Sequence, residues 1–152
     1  MLSKKTKYAI NALVYLVKHN KKRVVPISQI AKSENISRKF LEAILLDLKN
    51  ARILNSKQGK YGGYYLNKMP EEINIAEIMR LFDGQLALIP CVSENFYEPC
   101  EECKDESTCG IRDIFAEVRH EMVQRLQNTT LATIIEREER LAYEKRYGIP
   151  SN

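Results

Sequence analysis

The stretch "VPISQIAKSENISRKFLEAILLDLKNARIL", residues 25–54, predicts a short helix, a tight turn and a longer helix. Ser28 is a good N-cap residue for the short helix. Asn35 tolerates the positive φ that a tight turn needs. Ser37 is the N-cap residue of the second helix, which we expect to end near Ala51. Two helices in this order, joined by so few residues, are typical of the helix-turn-helix motif.

The segment "ILNSKQGKYGGYYLNK", residues 53–68, predicts a β-hairpin. Its strands are expected at residues 53–56 and 64–66, with three glycines and two lysines between them. A hairpin that directly follows the second helix of a helix-turn-helix is a wing. We therefore predict a mainly α fold, a winged helix-turn-helix with a small β-hairpin.

Helices are also predicted on both sides of this motif. One is expected to start after Ser3 and to run to about His19, a second is capped by Asn74, and the last is capped by Thr130. Gly148 and Pro150 are expected to end the last helix. The predicted core stripe of the helix-turn-helix consists of Phe40, Leu41, Ile44, Leu45 and Leu48.

A longer apolar stripe follows the cysteine-rich stretch, formed by Ile111, Ile114, Phe115, Val118, Met122 and Leu126. It is too extended for one small core, so we interpret it as a dimerisation helix. A helix folded back on its own domain is the alternative. The expected organisation is a DNA-binding domain at residues 1–84, a cysteine-rich sensor loop at 85–110, and the dimerisation and C-terminal helices at 111–152.

Charge divides the 152 residues unevenly. Residues 1–70 carry 15 Lys and Arg against 3 Asp and Glu, whereas residues 71–152 carry 9 against 17. A basic half favours a polyanionic partner, although a solvated lysine-rich surface would have the same composition. No apolar run approaches the roughly 20 residues of a membrane span. We expect a cytoplasmic protein with reduced thiols and no membrane partner.

The order of these elements predicts binding to double-stranded DNA. Arg38 and Lys39 lie in the first turn of the second helix, where recognition helices meet base edges. Phe40 is expected to pack inward, the alternative being contact with a thymine methyl group. Glu42 is a candidate acceptor for a cytosine amino group or for a nearby lysine. The predicted phosphate-neutralising lysines are Lys4, Lys5, Lys7, Lys57 and Lys60.

Four segments carry a family resemblance: "KYAINAL", "VPISQIAKSENISRKFLEAILLDLKNARIL", "GKYGGYYL" and "CKDESTCGIRDIFAEV". Together they resemble the IscR/NsrR/CymR type of bacterial winged-helix transcription regulators, over about residues 3–135. The resemblance implies a homodimeric repressor or activator, paired through the long helix and bound to a palindromic operator. Many such relatives hold an iron–sulfur cluster through three loop cysteines, and others carry no cluster.

The resemblance also implies individual DNA contacts. Lys39, Phe40 and Glu42 match positions at the DNA-facing start of the recognition helix, and Gln58 matches a wing arginine that enters the minor groove in some relatives. Because Gln58 is uncharged, that contact is expected to be weaker or to be taken over by Lys57 or Lys60. The full predicted DNA-contacting set is Ser37, Arg38, Lys39, Phe40, Glu42, Lys57, Gln58, Lys60, Tyr61 and Lys5.

All four cysteines lie between residues 91 and 109: Cys91, Cys100, Cys103 and Cys109. Cys103 and Cys109 resemble the second and third cluster cysteines of the family. Tyr97 stands where the first would be. Arg112 stands at the histidine-ligand position of 2Fe–2S relatives, and Lys7 at the acidic-ligand position of some 4Fe–4S relatives.

Four thiolates in one loop can nevertheless close around a single site. Thiolate sulfur suits an iron–sulfur cluster or zinc, and we expect the four cysteines to be the ligands. Reduced idle thiols, or a disulfide between Cys100 and Cys103 or between Cys91 and Cys109, remain alternatives.

The predicted function is transcription regulation with a cluster-dependent operator affinity. A cofactor-free regulator that senses a partner protein or thiol oxidation is the alternative. An enzyme is not expected. The acidic neighbours of Cys100 and Cys103 oppose formation of a reactive thiolate.

Overall fold

The computed structural model describes residues 2–19 and 24–148. These contain six α-helices: α1 (Lys4–His19), α2 (Ile27–Ser33), α3 (Arg38–Asn50), α4 (Ile75–Asp83), α5 (Gly110–Gln127) and α6 (Leu131–Tyr147). One antiparallel hairpin joins β1 (Leu54–Lys57) to β2 (Gly63–Leu66). No helix among the described residues is long and apolar enough to cross a bilayer. The predicted winged helix-turn-helix, mainly α with a small hairpin, is confirmed.

Side-chain caps begin three of these helices where the sequence predicts them. The Ser37 hydroxyl accepts from the Phe40 backbone N–H at 3.3 Å. Asn74 Oδ1 and Thr130 Oγ1 make the equivalent bonds at the starts of α4 and α6. The cap at Ser28 is wrong: α2 begins at Ile27 and its N-cap position is Pro26. The Pro26 carbonyl already accepts the first helical hydrogen bonds, so the helix starts ahead of Ser28.

The turns around α3 require positive φ. Asn35, between α2 and α3, has φ 52° as predicted. Arg52, just after α3, has φ 59°, which nothing in the sequence singled out. Gly148 ends α6 with φ 66°, while the predicted stop at Pro150 lies outside the described residues. The turn at Asn35 keeps α2 and α3 close together, and the turn at Arg52 directs the chain from α3 into the hairpin.

The hairpin is joined to the body at its base. Leu54 pairs with Leu66 and Lys57 with Gly63, so the first strand begins one residue later than expected. Ile53 is instead fully buried in the core. Val25 and Tyr64 exchange two backbone hydrogen bonds, of 2.9 and 2.8 Å, which join the second strand to the chain entering α2. The wing is therefore held at both of its strands.

The main core lies beneath α3. Four α3 side chains predicted for the core stripe are fully buried, namely Leu41, Ile44, Leu45 and Leu48. The fifth, Phe40, is 38% exposed and meets the Tyr8 ring edge-on, 5.8 Å between centroids. Phe40 lies in the first turn of α3, at the edge of the buried stripe. The prediction that it packs inward therefore holds only in part, because one side of the ring packs on Tyr8 and the rest is exposed. Leu131 is buried in the same core, which α6 therefore shares.

The apolar stripe of α5 divides into two parts. Near its C-terminal end, Val123 and Leu126 pack against α4 and Leu86, as a helix folded back on its own domain would. Near its N-terminal end, Ile111 is 67% exposed, Ile114 59% and Val118 41%. One half of α5 is thus anchored to the body, and the other half exposes a row of aliphatic side chains.

Candidate nucleic-acid interface and cysteine cavity

The exposed face of α3 is mainly charged. Arg38 and Glu42 are one helical turn apart, and the Arg38 Nε donates to Glu42 Oε1 at 3.1 Å. Lys39 is exposed beside them, on the first turn that the Ser37 cap begins. The observed partner of Glu42 is thus Arg38, on the same helix. From the sequence alone, a nearby lysine or a cytosine amino group is the expected partner. The face carries donors and one acceptor in the arrangement that base-edge recognition uses.

A groove of about 520 Å³ separates this face from the hairpin. Arg38, Lys57 and Gln58, all predicted DNA contacts, line it. Lys49 lines it as well, and its ammonium donates to Ser56 Oγ on β1 at 2.7 Å. The groove therefore has cations on both walls and a fixed bond from helix to wing, which suits a strand of nucleic-acid backbone.

The hairpin tip carries the other predicted wing contacts. Gly59 has φ 111°, a conformation that favours glycine, and its carbonyl accepts from the Gly62 N–H at 2.9 Å. Tyr61 is 84% exposed, and the Lys60 ammonium lies 5.7 Å from the centre of its ring. The turn thus projects an aromatic ring and a cation beyond the body of the protein.

Lys5 lies apart from this surface groove. Its ammonium bonds to Asp47 Oδ2 of α3 at 2.7 Å and lies 5.2 Å from the centre of the Phe82 ring. Lys5 therefore joins α1 to α3 through this ion pair. Lys5 does not line the groove between α3 and the hairpin.

A second cavity, of about 550 Å³, is lined by all four cysteines. Cys91 is buried in a short 3-10 turn, Pro90–Val92, that packs on α5. Cys109 is the N-cap residue of α5, and its sulfur accepts from the Arg112 backbone N–H at 3.5 Å. Cys100 is exposed and Cys103 half-buried, and none of the four forms a disulfide. The loop thus brings the four predicted ligands to one place at the start of α5.

The pKa values of two of these thiols, Cys103 and Cys109, are shifted in opposite directions. The Arg112 backbone N–H and then the Cys103 thiol donate to the Cys109 sulfur and lower the pKa of Cys109. Desolvation, and then that same hydrogen bond to Cys109, raise the pKa of Cys103. Cys109 is therefore the better thiolate of the pair and Cys103 its hydrogen-bond donor.

Two of the three residues that depart from the family's ligand pattern, Tyr97 and Arg112, share Glu106 as a partner. The Tyr97 hydroxyl donates to Glu106 Oε1 at 2.6 Å, which raises the pKa of Tyr97. The Arg112 Nε lies 3.7 Å from the other Glu106 oxygen, within ion-pair range but beyond hydrogen-bonding distance. Glu106 thus bridges Tyr97 on the loop to Arg112 on α5, across the mouth of the cysteine cavity.

The lining of the cavity suits a negatively charged, thiolate-bound group. The Arg112 Nε is buried, and no described group accepts its hydrogen bond. An orphaned cationic donor beside four thiols fits a negatively charged occupant such as a thiolate-ligated cluster. Over residues 2–19 and 24–148, no three metal-ligating side chains converge closely enough to hold an ion. The donor chemistry fits, and ligation would require the cysteine loop to close further.

Several residues of these sites were missed by sequence reasoning. Leu46, Lys49 and Ser56 line the groove between α3 and the hairpin, and Glu106 lies between Tyr97 and Arg112 at the cysteine cavity. Leu46 and Lys49 follow Arg38 and Glu42 at helical spacing. The helical periodicity of the sequence therefore already places them on the same face of α3 as Arg38 and Glu42. Ser56 and Glu106 carry no such signal, because their partners are fixed by tertiary structure.

Comparison with known proteins gives consistent matches over most of the chain. The family model described as "Rrf2: Iron-dependent Transcriptional regulator" matches residues 2–137. An rrf2-like HTH-type transcriptional regulator of Rhodobacter capsulatus is 38% identical over 138 residues, 89% of this chain and 92% of that protein. The HTH-type regulator NsrR of Bacillus licheniformis is 28% identical, over 88% of this chain and 91% of its own length.

The fold agrees as well. The structure of CymR, the global cysteine regulator of B. subtilis, matches with a TM-score of 0.73 and 25% identity, over 88% of this chain and 95% of that one. These relatives are transcription regulators rather than enzymes, as the sequence predicts. The expected resemblance to the IscR/NsrR/CymR type is confirmed. The chain belongs to the Rrf2 family of transcriptional regulators.

Proposed function

We propose that this regulator acts as a cytoplasmic homodimer that binds a palindromic operator through α3 and the hairpin of each subunit. The observation that carries the proposal is the groove between α3 and the wing, with Arg38 and Lys49 on one wall and Lys57 on the other. Arg38 and Lys39 face the base edges, and Ser37 orders the first turn that presents them. Lys57, Gln58, Lys60 and Tyr61 follow the backbone into the minor groove.

Lys5, Phe40 and Glu42 have supporting roles in this proposal. Lys5 fixes α3 through Asp47 and so supports the helix that carries the DNA contacts. Phe40 packs on Tyr8 and presents its exposed edge to the DNA. Glu42 restrains the Arg38 guanidinium before DNA binds. An arginine held in one orientation loses less side-chain entropy on binding.

The dimer part of the proposal rests on α5. Ile111, Ile114 and Val118 form a row of exposed aliphatic side chains along its N-terminal half. A second copy of the same helix would cover this row and bring two winged helices to one duplex. A twofold axis between them would match a palindromic site, because each subunit then reads one half.

We further propose that the cysteine cavity holds an iron–sulfur cluster, with zinc as the alternative, through Cys91, Cys100, Cys103 and Cys109. The supporting observations are the shared cavity, the orphaned Arg112 donor and the description of the matching family as iron-dependent. Such a group would cross-link the loop to the first turn of α5. Arg112 would balance part of its negative charge. Because Cys109 joins the loop to the start of α5, ordering of the loop would also set the position of the exposed aliphatic row on α5.

Regulation by thiol oxidation, or by a protein partner, is the second candidate mechanism. Cys103 and Cys109 line the same cavity, and the Arg112 backbone N–H lowers the pKa of Cys109, which favours the oxidation version. The two mechanisms differ in metal content, since a thiol switch needs neither iron nor sulfide.

Anaerobic purification followed by iron and sulfide analysis distinguishes these possibilities. We expect a coloured protein with iron and acid-labile sulfide, and a mobility shift on operator DNA that changes when the cluster is removed. Cys103→Ser and Cys109→Ser should each abolish the visible absorption, while Ser107→Ala, in the same loop, should retain it. A colourless wild-type protein without iron would contradict the cluster, and zinc in its place would support the alternative.

A further inference from the structure

Leu46 is an apolar exception on the exposed face of α3. Its side chain is 55% exposed, although it belongs to the helix that contributes Leu41, Ile44, Leu45 and Leu48 to the core. At 100° per residue it falls on the side that also carries Glu42 and Lys49, away from the buried stripe. Nothing in the packing of the described residues requires a leucine there.

The polar side chains around Leu46 are engaged with one another. Glu42, one turn before Leu46, accepts from the guanidinium of Arg38, which lies one turn earlier still. One turn after it, the Lys49 ammonium donates to Ser56 on the hairpin. Leu46 therefore lies between two polar pairs as an apolar surface, in the groove that Arg38, Lys49 and Lys57 line.

This surface matches one feature of duplex DNA. The positive charge of the groove selects a polyanion, while an aliphatic side chain offers no hydrogen bond to a base. The 5-methyl group of thymine is the apolar group that the major groove presents, and aliphatic side chains read it by contact. A second protein is a poorer fit, because its apolar group would have to enter among three cations.

Resting on the DNA-binding function proposed above, we infer that Leu46 is a specificity-determining residue that reads a thymine methyl group in each half-site. Leu46 contacts the methyl group from the middle of α3, while the residues of the first turn contact the neighbouring base pairs. Removal of the contact lowers affinity at that thymine and leaves the phosphate contacts of the groove unchanged.

The test begins with selection of preferred duplexes from a random pool by the full-length protein. Each thymine of the selected duplex is then replaced in turn by deoxyuridine, which removes the methyl group alone. At one thymine per half-site, we expect the wild type to lose affinity by about fourfold, the effect of removing one buried methyl group from its contact. Leu46→Ala removes the contact from both half-sites of the proposed dimer, so it should lose about 16-fold in affinity for the thymine duplex and show no further loss with deoxyuridine.

Two further variants complete the experiment. Leu81→Ala removes another exposed leucine, on α4 and outside the groove, and should keep the methyl dependence of the wild type. Leu46→Met restores an apolar side chain and should restore part of that dependence. Equal sensitivity of the wild type and Leu46→Ala to every deoxyuridine would overturn the inference while leaving DNA binding intact. Failure of the wild type to select any sequence would instead refute sequence-specific binding, and the inference with it.

Discussion

An Ile114→Asp variant is expected to be monomeric and to lose at least about 100-fold in operator affinity. Ile114 is 59% exposed at the centre of the aliphatic row on α5. In the proposed dimer its side chain is buried against a second copy of the helix, where an unpaired carboxylate is strongly unfavourable. Each winged helix would then bind its half-site alone and lose the avidity of two linked modules, commonly a factor of 10²–10⁴.

The measurement combines light scattering with operator titration. Wild-type protein should have the mass of two chains and Ile114→Asp the mass of one. Gln124→Asp introduces the same charge at an exposed position on another side of α5 and should leave both mass and affinity unchanged. Circular dichroism should show the same helix content for all three proteins. A dimeric Ile114→Asp protein with normal affinity would refute the proposed role of α5.

Replacing Gly63 with alanine is expected to produce the largest loss of stability among single changes in the wing. A Cβ there would overlap the carbonyl of Val25 and lie 2.8 Å from the Pro26 nitrogen. These are backbone atoms of the bridge that joins the hairpin to the chain entering α2. The overlap must break or stretch the two Val25–Tyr64 hydrogen bonds. We expect a loss of about 3 kcal/mol, from overpacking and the weakened bonds.

Thermal unfolding measures this effect. A loss of this size lowers Tm by roughly 6–12 °C for a domain of this length. DNA affinity should fall as well, since the wing would no longer be held opposite α3. Gly110→Ala is the matched control, because a Cβ at Gly110 meets no atom within 4 Å and the position begins α5. It should leave Tm unchanged or slightly raised. An unchanged Tm for Gly63→Ala would show that the Val25–Tyr64 bridge is not tight.

Local sequence signals predicted most of the fold. Ser37, Asn74 and Thr130 cap helices because each can bond to an N–H two or three residues on, an interaction that needs no knowledge of the rest of the chain. The positive φ of Asn35 is local in the same way. The error at Ser28 is also local: Pro26 begins the helix, and the serine that seemed to cap it lies inside the first turn.

Interactions between residues distant in the sequence could not be predicted from local sequence signals. Lys5 belongs to a basic cluster by composition, yet its ammonium is bonded to Asp47, 42 positions away. Tyr97 and Arg112, two of the positions that differ from the family's ligand pattern, can be identified individually from the sequence. Their common partner, Glu106, became visible only in the folded loop. Likewise, Lys49 of α3 bonds to Ser56 of the hairpin across the groove, a pairing that helical periodicity does not predict.

The central claim is that α3 and the hairpin bind the phosphate backbone of duplex DNA, and its most direct test is the salt dependence of binding. Fluorescence anisotropy with a labelled duplex would follow affinity as salt is raised. We predict tight binding at low salt and a linear fall of log K with log salt, with a slope of about 0.9 for each phosphate contacted. Lys57→Ala should lower that slope by about 1. Absence of binding to any duplex at low salt, or an affinity that does not change with salt, would contradict the account.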